Sequence, residues 1–277
     1  MVHSTAQPYY SNKKQLYNMK KAITDSLLYV LLFAAIQIAV GTVTQIVCQT
    51  EDLSPIATIV CSIVSSVLAI ALFAWRKWTP MPNHYISQRP WFTLFWVICL
   101  AGGSVMPMTF AIEQAGIDMP EGYAKLFKDI ISHDSGFLAV GVLAPIAEEM
   151  VFRGAILRRL LDALDVRWHW AAIVVTAALF GAIHLNMAQG INAFVMGLLL
   201  GWMYMRTRSI VPGLVFHFAN NTIAFFSYRL FPYAADKTLV EFYGGNMNNV
   251  LMAVAFSLMI FGAALYQLSF RLQRGRQ

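Results

Sequence analysis

Residues 168–205, WHWAAIVVTAALFGAIHLNMAQGINAFVMGLLLGWMYM, run for 38 positions without one Asp, Glu, Lys or Arg. As a helix this stretch is ~57 Å long at ~1.5 Å per residue, whereas a bilayer core of roughly 30 Å is crossed by about 20 residues. It therefore holds two short spans rather than one long one. Five more stretches lack all four charged residue types: 26–50, 53–75, 90–112, 209–228 and 242–270. Each is long enough to cross a bilayer once. The 277-residue chain is 58% hydrophobic and 12% charged, against about 45–50% and about 25% in soluble domains. That balance excludes a disordered protein, a disulfide scaffold and an ordinary water-soluble domain.

The pattern predicts spans over 26–47, 54–75, 91–111, 136–157, 169–185, 190–205, 209–228 and 246–269. The fourth is unusual, because Glu148, Glu149 and Arg153 interrupt its apolar stretch. The positive-inside rule provides an independent check on the number. With the N-terminus in the cytoplasm, fifteen of the twenty Lys and Arg fall on the inner side. Lys125, Lys128, Arg229 and Lys237 fall outside, and Arg153 lies within a span. The fold class is thus an all-α, polytopic membrane helix bundle of about eight transmembrane helices, N-in and C-in. Residues 1–25 read as a polar cytoplasmic leader and 26–270 as one transmembrane domain with its motif core at 140–225. Residues 271–277 read as a basic tail.

The net charge of +6 does not indicate nucleic acid, since the basic residues sit in short clusters between apolar runs. Cys48, Cys61 and Cys99 show no metal-ligand spacing and read as small apolar residues. The outer loop 112–135 carries five acids and is expected to be solvated or a short amphipathic helix. The loop 229–245, rich in Tyr and Phe, is expected at the membrane interface. Ala193, Gly197 and Gly201 recur every four residues and predict a small-residue face for a neighbouring helix.

Ionisable groups inside a span are costly and mark a functional site by default. Here they are Glu148, Glu149, Arg153, His184 and His217, with Asn220 and Asn221 beside the last. Glu149 and Arg153 are four apart, on one helix face, and are expected to pair. Glu148 is turned ~100° away, which leaves it free for proton transfer. Pro145 interrupts the backbone ladder just upstream. Phe180 and His184 share a face of the fifth span, and His217 and Asn221 share a face of the seventh. Taken singly, each histidine fits a buried core residue as well as a catalytic one. A di-Glu helix with two His helices is what a site between helices requires.

In order along the chain, Glu148-Glu149-x-x-x-Arg153, Phe180-x-x-x-His184 and His217-x-x-x-Asn221 resemble the three motifs of the CAAX protease and bacteriocin-processing (CPBP) family of intramembrane peptidases. The Ala-Pro before the paired acids, the Phe-Arg-Gly after them and the Phe-Gly before the first His agree as well. The best-known member type is the type II CAAX prenyl endopeptidase. The resemblance implies an eight-helix peptidase in which Glu148 and His184 activate water and His217 and Asn221 stabilise the tetrahedral oxyanion. Glu149, Arg153, Phe180 and Asn220 would support them. A metal-free glutamate mechanism is the reading adopted. If zinc is bound instead, Glu148, His184 and His217 are its ligands.

The expected substrate is a peptide or membrane-anchored protein at the lipid bilayer, and the short loops point to a bacterial plasma membrane. Two readings from other classes stay open. One is a proton-coupled transporter, in which Glu and His form a relay, although no inverted repeat is visible. The other is a non-catalytic membrane protein of the bacteriocin-immunity type.

Overall fold

The computed structural model describes residues 7–80, 83–234 and 237–272. Its regular structure is helical, with no strand among the described residues. In chain order the long helices are α1 (Gln7–Cys48), α2 (Pro55–Trp75), α3 (Trp91–Gln114), α4 (Asp134–Ala163), α5 (His169–Ala182), α6 (Met187–Thr207), α7 (Val211–Leu230) and α8 (Met247–Arg271). Each predicted span coincides with one of them. Six are long and apolar enough to cross a membrane: α1, α2, α3, α4, α6 and α8.

The other two fall outside that group for separate reasons. α5 has only 14 residues, ~21 Å of helix, because the chain turns away after Ala182 instead of continuing to 185. α7 has 20 residues, but gives several of them to His217, Asn220 and Asn221. At the other end of the chain, helix begins within the polar leader and continues from Gln7 into the first span without a break. The leader's first six residues, and Arg274 and Arg276 of the basic tail, lie outside the described residues.

Local sequence explains where several helices start. Ser54 accepts a hydrogen bond from the Ala57 amide and Pro55 follows at the first helical position, so α2 begins there. Asn186 does the same for α6 through the Gln189 amide. The acidic outer loop contains a short helix, Glu121–Ile131, which buries Ile130 and Ile131 and keeps its charges outward.

Burial is the reverse of a water-soluble protein. Leu31, Ile38, Ile46 and Phe256 face outward, while Glu149, Arg153 and His217 are buried. In lipid an apolar surface costs nothing, so helices associate through close backbone approach and polar contacts. The predicted small-residue face works this way within the chain. A Cβ placed on Gly197 would lie 2.8 Å from that of Ala177, and one on Gly201 would lie 2.8 Å from Ile173, both on α5. Gly103 similarly brings α3 against α8, where an added Cβ would come within 2.6 Å of the Phe261 nitrogen.

One end of the bundle is tied by arginines. Arg159 pairs with Asp25 of α1, and Arg208 bonds Asp162 at 2.7 Å. Arg158 donates to the Trp78 carbonyl at 2.9 Å, and Arg206 donates to the carbonyls of Leu272 and Ser269. These contacts fix the α4–α5, α6–α7 and post-α8 ends together, and with them the depth of everything built on α4.

Candidate active site

α4 is not a uniform helix. Residues Phe137–Leu143 and Met150–Leu157 wind as π-helix, and the α-helical segment Ala144–Glu149 lies between them. π-turns are rare and usually appear where function needs a helix opened. In the first wide turn the Ala144 amide donates five residues back, to Ala139. The next donor in that register would be residue 145, a proline with no N–H. The Val140 carbonyl is left without its backbone partner, deep in an apolar bundle where that is costly. Asn221 supplies the missing donor, its Nδ2 lying 2.8 Å from Val140 O. Pro145 thus joins α4 to α7 as well as shaping α4.

The segment between the π-turns carries the two acids. Glu149 is fully buried and pairs with Arg153, Nη1 to Oε1 at 2.9 Å. This is the pair the four-residue spacing predicts, and it forms even though Arg153 itself lies in the second π-helical segment. The Arg153 guanidinium lies over the Phe180 ring, 4.4 Å from its centroid. A buried cation therefore has one carboxylate and one aromatic face as its surroundings. His217 Nδ1 lies 3.3 Å from the same Glu149 oxygen. Glu149 Oε2, by contrast, has no hydrogen-bond partner. It faces Gly213, where an added Cβ would lie 2.7 Å away.

Glu148 is set apart from that ion pair. Its side chain keeps 17% of its exposure, and its Oε2 lies 3.6 Å from His217 Nε2. His217 is thereby flanked by a carboxylate at each ring nitrogen. Since Glu149 can only accept, Nδ1 is the protonated nitrogen on that side, and Nε2 is the one presented to Glu148.

His184 lies just beyond the end of α5. Its Nδ1 donates to the Phe180 carbonyl at 2.9 Å, one of the acceptors left open at a helix C-terminus. Again Nε2 is left facing outward. The rings of His184 and His217 both meet the Phe180 ring edge-on, with centroids 5.3 and 5.8 Å away. Phe180 therefore spaces the two imidazoles and covers Arg153. The turn after His184 is held unusually. Leu185 adopts a left-handed backbone with φ of 56°, a costly state for a leucine. Asn186 secures it by donating Nδ2 to the His184 carbonyl at 3.0 Å while its Oδ1 caps α6.

Of the sequence-predicted residues, Glu148, Glu149, Arg153, Phe180, His184, His217 and Asn221 gather around this one locus. Asn220 lies beside it and donates to Asn221 Oδ1 over a long 3.4 Å. Asn186, Gly213 and the Val140 carbonyl are additions. Asn186 had a sequence signal, an Asn two residues past the histidine and ahead of a helix. The others act through backbone and had none. No three His, Cys, Asp or Glu side chains gather closely enough to hold a metal ion among the described residues.

Residues 135–223 match the family described as type II CAAX prenyl endopeptidase Rce1-like. That interval runs from the start of α4 to just past Asn221 and contains every residue of the site. No curated protein and no solved structure matches the chain.

Proposed function

We propose that this chain is an intramembrane endopeptidase that hydrolyses a peptide bond in a membrane-associated peptide or protein. Glu148 and His184 activate water, and His217 with Asn221 receives the oxyanion. The observation that carries this reading is the split between the two acids. Glu149 is consumed by Arg153 and His217, whereas Glu148 is held beside an imidazole nitrogen on a partly open site. A general base needs that freedom, and a purely structural ion pair leaves it unexplained.

In the proposed reaction Glu148 takes a proton as the water oxygen bonds to the carbonyl carbon. The negative charge moves to the carbonyl oxygen, where donors from His217 Nε2 and the second Asn221 N–H meet it. Collapse breaks the C–N bond, and Glu148 returns the proton to the leaving amine. Glu149 fixes the His217 ring at its other nitrogen, which is a positioning role. In this reading α5 and α7 cross with the six longer helices, giving eight spans, N-in and C-in. The host membrane is a bacterial plasma membrane.

The test is cleavage of a farnesylated C-terminal tetrapeptide and of its unprenylated form by the purified chain in liposomes. Glu148→Gln and His184→Ala should abolish turnover while thermal unfolding stays close to wild type. Cleavage at undiminished rate in both variants would refute the reading. Glu148-dependent proton flux without cleavage would favour a transporter instead.

A further inference from the structure

A second candidate site lies at the arginine-tied end of the bundle, away from α4. There α3 and α8, in close contact at Gly103, separate into a cleft of about 500 Å³ lined by Thr93, Gln267, Phe270 and Arg271. The Arg271 guanidinium lies over the Phe92 ring, 4.3 Å from its centroid, and its Nε donates to Gln267 Oε1 at 3.1 Å. Both contacts hold the planar fork in one orientation, and its two terminal amino groups have no protein acceptor among the described residues.

The neighbouring arginines behave differently. Arg158, Arg159, Arg206 and Arg208 all spend terminal nitrogens on carboxylates or backbone carbonyls. Arg271 is thus an oriented cation with its donors left open at the last residue of α8, a helix long and apolar enough to cross a membrane. A guanidinium held flat in this way suits a tetrahedral oxyanion bound through two parallel N–H groups. Below it the wall turns apolar. Tyr266 and Phe270, one turn apart, meet edge-on with centroids at 5.0 Å, and both are exposed. A polar head above an apolar wall matches a ligand of the same build.

The geometry points to a binding site for the phosphate of an anionic membrane lipid, with Arg271 as the phosphate ligand, Thr93 and Gln267 at the headgroup, and Phe270 along the acyl chain. This goes beyond the proposed peptidase activity and does not depend on it.

The test uses the full chain in detergent, with phosphatidylglycerol, phosphatidylcholine, or glycerol 3-phosphate added. Bound lipid is counted by native mass spectrometry, and the unfolding midpoint is followed in parallel. Phosphatidylglycerol should bind and raise the midpoint, and phosphatidylcholine should do neither. Arg271→Ala should weaken binding roughly tenfold or more, and Arg271→Lys by less, because it keeps charge without the fork. Arg167→Ala, an exposed arginine at the same end, should bind as wild type. Gln267→Met leaves the arginine over Phe92 but removes the hydrogen bond that fixes its rotation, and should weaken binding severalfold even if Arg271→Ala folds poorly. Equal binding by wild type and both Arg271 and Gln267 variants would overturn the proposal, as would equal binding of phosphatidylcholine. An equal effect from glycerol 3-phosphate would overturn the lipid as the source of the phosphate.

Discussion

Asn221 on α7 donates its side-chain amide to the carbonyl of Val140 on α4, 2.8 Å away, at the point where Pro145 deprives that carbonyl of a backbone partner. In the proposed reaction its second hydrogen meets the substrate oxyanion, which would give one side chain a structural and a chemical task.

Asn221→Asp keeps the size of the side chain but removes both donors and turns a carboxylate toward a carbonyl. Loss of about 1–3 kcal/mol of stability is expected, the cost of an unsatisfied buried acceptor. Thermal unfolding in detergent measures it. An unchanged midpoint with lost turnover would assign Asn221 to the oxyanion alone.

Removing one half of the buried ion pair should be far worse than removing both. Arg153→Met strands Glu149 and should cost roughly 3–5 kcal/mol. Arg153→Met combined with Glu149→Gln should recover a large part of that loss. A double-mutant cycle on unfolding midpoints reads the coupling; additive losses would mean the pair does not interact as the 2.9 Å contact implies.

Gly213 is where α7 lets Glu149 in. Gly213→Ala puts a methyl 2.7 Å from Glu149 Oε2 and 3.4 Å from the Leu200 side chain. The carboxylate must swing off His217, so turnover should fall about 10–100-fold with a stability loss of about 1–3 kcal/mol. Gly262 on α8 has nothing within 4 Å of an added Cβ. Gly262→Ala should leave both quantities near wild type, and the pair of variants measured side by side separates crowding from loss of glycine.

The cap at Asn186 can be divided by chemistry. Asn186→Asp retains the acceptor for the Gln189 amide but loses the donors to the His184 carbonyl and to Gln189 Oε1. Stability should fall by about 1–3 kcal/mol, as at Asn221, and kcat should drop while KM stays within about twofold, as expected when the transition state loses an aligned group. Asn186→Ala loses all three bonds, the cap among them, and loss of the cap alone costs about 1 kcal/mol of stability.

The helices were legible because charge-free runs of about 20 residues leave few alternatives. The Glu149–Arg153 pair was legible because four-residue spacing puts both on one face. What escaped the sequence was carried by backbone. The Val140 carbonyl, the left-handed turn at Leu185 and the close approach of Glu149 to Gly213 leave no residue-type signature. The π-turns escaped for a related reason: a wheel drawn at 100° per residue assumes α-geometry throughout. The depth of His184 followed from α5 stopping at Ala182 rather than from any change in the motif.

Each wide turn in α4 stores one surplus residue relative to an α-helix of the same length. Deleting a residue within 137–143 therefore offers that stretch a way to tighten into ordinary α-helix while the Arg158 and Arg159 moorings stay in place. The same deletion inside 144–149 has no slack to draw on and would rotate both acids off their partners. Tolerance to shortening should thus alternate along a single helix, and the paired acids sit on its inelastic segment.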